Sequence, residues 1–200
     1  MKIVVLANDE SFESLRKSRV ELDWIHVKDV ASFGAHPGAD AYFDLREEAI
    51  ETDHNIPDKP LFLNSVAHIL PAGKKGVRIN GWNGFLENDS WEIAGEVNDD
   101  EKNLLNLLNK KIIVCANEPG FISARILAMI INEAYFAKEE GVSTEAEIDT
   151  AMKLGTNYPF GPFEWAKKIG IHSIYALLSQ LSITDSRYTP SPLLTKTVAS

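Results

Sequence analysis

The chain has 200 residues, 44% of them hydrophobic, and a formal net charge of −9 from 29 acidic and 20 basic side chains. That length allows one large domain or two small ones, and the acidic balance argues against a nucleic-acid backbone or an anionic membrane as the main partner. One cysteine, Cys115, excludes an internal disulfide, and no apolar run approaches the roughly 20 residues that cross a bilayer, so a soluble, cytoplasmic protein is expected.

Lys2–Ala7 (KIVVLA) is a continuous apolar run rich in β-branched residues, the pattern of a strand covered on both faces. At Ile3–Ala7 the run is too short for a signal-peptide core. Further strands are predicted at Leu22–Val27, Ala41–Leu45, Pro60–Asn64, Val77–Trp82, Trp91–Ala94 and Ile112–Cys115, with turn-rich pieces between them. Asp99–Asn109 reads as a helix with Leu104, Leu105, Leu107 and Leu108 on its apolar side, and Arg46–Glu51 adds a further turn or two. Cys115 falls in the apolar run Lys111–Ala116, where a buried structural thiol is expected.

At Asn117-Glu118-Pro119-Gly120 the period changes from strand to helix, placing an α/β part over 1–116 and an all-helical part over 117–200. Phe121–Glu140 carries apolar residues around most of its circumference, which predicts burial that some 80 residues can hardly supply alone; a second copy is the simplest cover. Thr144 with Glu147 forms a capping box for a helix ending near Leu154, with Gly155 at C′. Gly161-Pro162 opens the next helix, which stops at Gly170. Ile174, Leu177, Leu178 and Leu181 mark another, and Ser191-Pro192 starts the last.

The series Pro119-Gly120-Phe121-Ile122, Arg125, Asn132-Glu133-Ala134 and Glu140-Gly141-Val142 leads into Ile148-Asp149 and the block Ala151–Gly170. It closes with Arg187-Tyr188 and Pro190-Ser191-Pro192-Leu193-Leu194. Over nearly all of 117–198 this resembles the C-terminal helical domain of the 3-hydroxyacyl-CoA (3-hydroxybutyryl-CoA) dehydrogenase family. The resemblance implies a Rossmann-like N-terminal half, a homodimer through the helices, an acyl-CoA ligand, and NAD-dependent oxidation of the 3-hydroxyl group.

The N-terminal half departs from that pattern. A dinucleotide site wants G-x-G-x-x-G between the first strand and helix, so that backbone approaches the pyrophosphate. Aligned on Lys2–Ala7, the three glycine positions are Ala7, Asp9 and Phe12, and Asp9 and Glu10 bring carboxylates to the phosphate side. Two like charges about 4 Å apart repel by about 1 kcal/mol even in water. Asp9, Glu10 and Glu13 read more simply as acids favoured by a helix N-terminus. Six complete β-α units need about 145 residues, so the first part is expected to be a shortened, helix-poor Rossmann-like sheet.

The family pairs a histidine in a G-L-H-F-F-N-P strand end with a glutamate twelve residues on. Against Val77-Arg78-Ile79-Asn80-Gly81-Trp82-Asn83-Gly84, the resemblance puts Asn80 at the histidine position and Glu92 at the glutamate. An amide is no base near neutral pH. The asparagine of the family's P-G-F-I-x-N-R motif falls on Ala124, and a substrate-facing serine falls on Val66, with Ser65 beside it. Glu92 is therefore the one polar position retained, and it reads equally as a solvated strand-end glutamate. Among the histidines, His68 lies nearest the strand ends and His172 at a helix start; a surface or capping place fits each. No Cys/His cluster has metal-ligand spacing.

Three functions follow. The first expected reading is a catalytically degenerate relative that binds acyl-CoA as a dimer, with no cofactor. The alternatives are an active NAD-dependent dehydrogenase of fatty-acid metabolism, and an interaction protein pairing with a full-length relative.

Overall fold

The computed structural model describes residues 1–200 apart from Val20 and Glu48, and it divides into two compact units, Met1–Phe121 and Ile122–Ser200. The division falls just beyond the change of period at 117.

The first unit is a seven-stranded sheet: β1 (Lys2–Leu6), β2 (Asp23–Val27), β3 (Ala41–Asp44), β4 (Leu61–Asn64), β5 (Val77–Ile79), β6 (Ser90–Ala94) and β7 (Lys111–Val114), in the order β2-β1-β3-β4-β5-β6-β7. The strands from β2 to β5 are parallel, β6 runs antiparallel to β5, and β7 follows β6 in parallel. The strand expected to reach Trp82 stops at Ile79, because the Gly81 N–H turns to Asn64 Oδ1 (3.0 Å). Strand order reverses between β1 and β3, the place where open α/β sheets take ligands at their strand ends.

The two faces of this sheet are covered unequally. One packs Ile3, Val5, Phe43, Phe62, Ile79 and Ile93 beneath two helices, α1 (Asp9–Arg16) through Phe12 and Leu15, and a second helix through Leu104 and Leu105. The other packs Val4, Leu6, Tyr42, Leu61 and Leu63 beneath a four-residue helix, α2 (Ala31–Gly34), a 3-10 turn at Ala49–Glu51, and loop residues such as Leu70. Short covering pieces on that face are what the expected length shortage produces. Glu48, within the predicted 46–51 turn, lies outside the described residues. The second long helix, α3 (Asp99–Leu107), opens on a capping box between Asn98 and Glu101. Cys115 departs from expectation: it is half-buried at the end of an edge strand whose Ile113 and Val114 are exposed, not enclosed in the core.

The second unit contains α4 (Ser123–Glu139), α5 (Glu145–Thr156), α6 (Pro162–Ile169), α7 (Ile171–Ser182) and α8 (Pro192–Val198). Leu127, Ala128, Ile131, Ala134 and Tyr135 of α4 are buried, while Ile122 and Ile126, one turn apart, stay more than half exposed. Asn132 ties α4 to the segment before α8, donating to Thr189 O (2.9 Å) and accepting from Ser191 N (2.8 Å). The Thr144–Glu147 capping box forms. Gly155 is not the C′ residue: α5 runs on to Thr156 and Asn157 takes the left-handed cap at φ +56°. Asparagine tolerates that conformation through its short polar side chain, so the helix gains about half a turn. No helix among the described residues is long and apolar enough to cross a membrane.

Candidate functional site

Two places in the first unit carry the predicted site residues. The first is the turn from β1 into α1. Asn8 caps α1, its Oδ1 accepting from Ser11 N at 2.8 Å, and Asp9 and Glu10 occupy the first helical turn. Asp9 sits 2.6 Å from Lys28 Nζ, which holds its carboxyl below the usual range. The Phe12 ring, at the third glycine position, stacks face to face on His26 at 4.1 Å, and His26 Nε2 lies 2.9 Å from Ala7 O. Glu10 accepts from Asn83 Nδ2 (3.3 Å) and Ser11 Oγ meets Asn83 Oδ1 (3.3 Å), tying the helix start to the loop after β5. Asn8 thus takes the Ser11 amide, Lys28 pairs with Asp9, and the Phe12 ring fills the third glycine position against His26. These residues do not fit a dinucleotide pyrophosphate in the family's pose: a carboxylate pair and an aromatic ring stand where backbone alone would have to approach.

The second place is the end of β5. Arg78 pairs with Ala94 and Ile79 with Ile93, and at the next step Asn80 N meets Glu92 O at 3.4 Å. Asn80 and Glu92 are therefore cross-strand neighbours on one face, and alternation puts Arg78 on the same face. Both are buried, at 7% and 9% exposure, which overturns the solvated reading of Glu92. Asn64 braces this end by accepting from Gly81 N and donating to Leu45 O (3.3 Å). Ser65 and Val66 are buried beside β4, and Ser65 Oγ donates to His68 O (3.0 Å). His68 is half-buried in a loop; His172 is exposed at the second position of α7. Ala124 is fully buried in α4, in the second unit.

Two features carried no sequence signal strong enough to single them out. Asp44, fully buried at the end of β3, accepts from His54 Nε2 (2.8 Å), Arg46 Nε (3.0 Å) and Arg46 Nη2 (2.6 Å). Arg78, also fully buried, breaks the apolar strand Val77-Arg78-Ile79, and that interruption was the available clue. A cleft of about 1030 Å³ lies elsewhere in this unit, bordered by His54, Leu61, Lys74, Gly76, Gly95 and Cys115; neither Asn80 nor Glu92 lines it. Among the described residues no group of His, Cys, Asp or Glu could hold a metal ion.

Comparison with known proteins bears on the family and the fold. Residues 120–200 match the family model of the 3-hydroxyacyl-CoA dehydrogenase C-terminal domain. A 3-hydroxybutyryl-CoA dehydrogenase of Clostridioides difficile is 33% identical over 167 residues, covering 78% of this chain and 59% of that protein. The 3-hydroxyadipyl-CoA dehydrogenase of Escherichia coli K12 is 45% identical over 87 residues, 42% of this chain but 18% of its own length. The chain thus spans less than two thirds of these curated relatives. In fold it is similar to (S)-3-hydroxybutyryl-CoA dehydrogenase PaaH1 of Ralstonia eutropha, with a TM-score of 0.73, 21% identity, and coverage of 98% of this chain and 92% of that one. FadB2 of M. tuberculosis gives a TM-score of 0.78 at 13% identity, covering 99% and 93%. The match of the helical domain, with a fold shared over nearly the whole chain, supports placing this chain in the 3-hydroxyacyl-CoA dehydrogenase family.

Proposed function

We propose that this chain is a catalytically silent member of its family, working as a dimer that binds an acyl-CoA thioester without oxidising it. The observation that carries the reading is the Asn80–Glu92 pair: the carboxylate stands opposite a residue that can give and take hydrogen bonds but cannot take a proton. An oxidation of a 3-hydroxyl group needs a base for the hydroxyl proton and an acceptor for the hydride. Asn80 supplies no base, and the filled turn between β1 and α1 argues against NAD. An amide at this position still suits a polar oxygen on the acyl chain. Exposed Ile126 on α4 and Ile122 at its N-cap support a second copy as the cover of that face.

The test combines three measurements on the purified chain. With NADH and acetoacetyl-CoA, no NADH oxidation is expected. CoA thioesters are expected to raise the melting temperature, since a ligand at 100 times its Kd stabilises by about 2.7 kcal/mol. Light scattering is expected to give a dimer. Turnover by the wild type that Glu92→Gln abolishes would overturn the silent reading in favour of an active enzyme. A dimer indifferent to every CoA thioester would overturn the ligand and leave pairing with a relative as the function.

A further inference from the structure

Arg78 is the bulkiest fully buried side chain among the described residues, and it spends its guanidinium on a segment outside the sheet. Nε donates to Ser65 O (3.0 Å), Nη1 to Asn117 Oδ1 (2.8 Å) and Nη2 to Glu118 O (3.1 Å). The guanidinium carbon lies 4.6 Å from the centre of the Phe121 ring. Three of these four contacts fall on residues 117–121, the last stretch of the first unit. The same stretch is stitched to the loop after β4. Asn117 accepts from Leu70 N (3.0 Å) and donates to Leu70 O (2.7 Å), while Gly120 N donates to Val66 O (2.8 Å).

This stretch has a backbone that does not favour its own shape. Gly120 and Phe121 both have positive φ, +89° and +49°, and for phenylalanine the left-handed region is disfavoured by its Cβ. Asn117 and Glu118 are exposed. Two arrangements therefore compete. In the closed one the Phe121 backbone is strained and Arg78 has its acceptors. In the open one the backbone relaxes, but the buried guanidinium gives up its contacts to Asn117, Glu118 and Phe121.

We infer that residues 117–121 form a strap clasped shut by Arg78, opening and closing as a local unit apart from the sheet. The fork of the guanidinium is what the clasp needs. It meets the Ser65 carbonyl, the Asn117 amide and the Glu118 carbonyl in three directions while stacking on a ring, and an ammonium cannot reproduce that geometry. The inference stands independently of any role for Asn80 and Glu92.

Amide hydrogen exchange on the intact chain tests it. The reporter is Gly120 N–H, whose acceptor is Val66 O, a backbone bond distinct from the Arg78 bonds to Ser65, Asn117 and Glu118 and the Asn117 bonds to Leu70. In Arg78→Met and in Asn117→Ala, Gly120 is expected to exchange about tenfold faster or more, while Val5 in β1 and Phe43 in β3 keep their wild-type rates. Arg78→Lys is expected to fall between Arg78→Met and wild type. Unchanged Gly120 exchange in these variants would overturn the clasp. So would equal acceleration at Gly120, Val5 and Phe43, which would make the segment part of the global core. If Arg78→Met does not fold, Asn117→Ala decides, because that side chain is at an exposed position.

Discussion

Asp44 shows how one carboxylate can organise a stretch of chain that lacks a helix. Its side chain is fully enclosed at the end of β3, and it gathers Arg46 and His54 from the segment that covers this face of the sheet. Arg46 Nη2 also reaches Thr52 Oγ1 (2.9 Å), so the segment is held at several points. Burial pushes the Asp44 carboxyl up, but hydrogen bonds from His54 and Arg46 outweigh it and hold the group below its ordinary range. Because the folded value is depressed, the stability it adds is fully present above the ordinary carboxylate range and is lost as pH falls through the lowered value. Asp44→Asn is therefore expected to lose about 2 kcal/mol near neutrality, and the gap to wild type to narrow in acid. Urea unfolding of both proteins at neutral pH and well below the carboxylate range measures this. A gap that stays constant would assign the loss to shape and not to charge.

At the scale of elements, the helical unit depends on a close approach between α5 and the start of α6. Asp149 Oδ1 accepts from Phe163 N (2.8 Å), so a buried side chain of one helix caps the next. That contact needs Gly161, where an added Cβ would overlap the Asp149 Cα and carboxylate. Gly161→Ala is expected to destabilise the chain by about 3 kcal/mol, with thermal unfolding as the readout, since both backbones must part and an N-cap contact weakens. The helices were legible because their punctuation is local: Thr144 and Glu147 cap one, and Gly161-Pro162 opens another. The error at Gly155 arose because glycine and asparagine compete for the same left-handed cap and Asn157 took it. Strand positions were legible for the same local reason. The pairing of Asp44 with His54 and the hydrogen-bond partners of Arg78 were not, since they are joined by tertiary contacts over 10 to 40 residues that no period in the chain reports. Likewise the burial of Glu92 was not legible, because it follows from pairing with the end of β5 and not from its neighbours in sequence.

At the scale of the molecule, the two units resemble the family unequally. The helical unit matches the family's C-terminal domain over residues 120–200, whereas the sheet carries Asp9, Glu10 and Phe12 at the turn after β1 and Asn80 opposite Glu92, which the proposed reading takes as a lost phosphate turn and a lost base. On the proposed reading these two losses are coupled, and restoring one does not restore the other. A general base contributes about 10²–10⁴-fold to a rate, but only to a reaction whose hydride acceptor is bound. Asn80→His puts an imidazole opposite Glu92, so the orienting carboxylate is already in place. It leaves Phe12 stacked on His26 and Asp9 paired with Lys28 at the turn where a dinucleotide would dock. Asn80→His is therefore expected to show no oxidation of NADH by acetoacetyl-CoA, and equilibrium titration of the same variant is expected to show no binding of NADH. Turnover near the roughly 10 s⁻¹ typical of enzymes in this single variant would mean that a working cofactor site exists despite the filled turn. The base would then be the only missing part, and the α1 side chains would have to be read as movable and not as occupants.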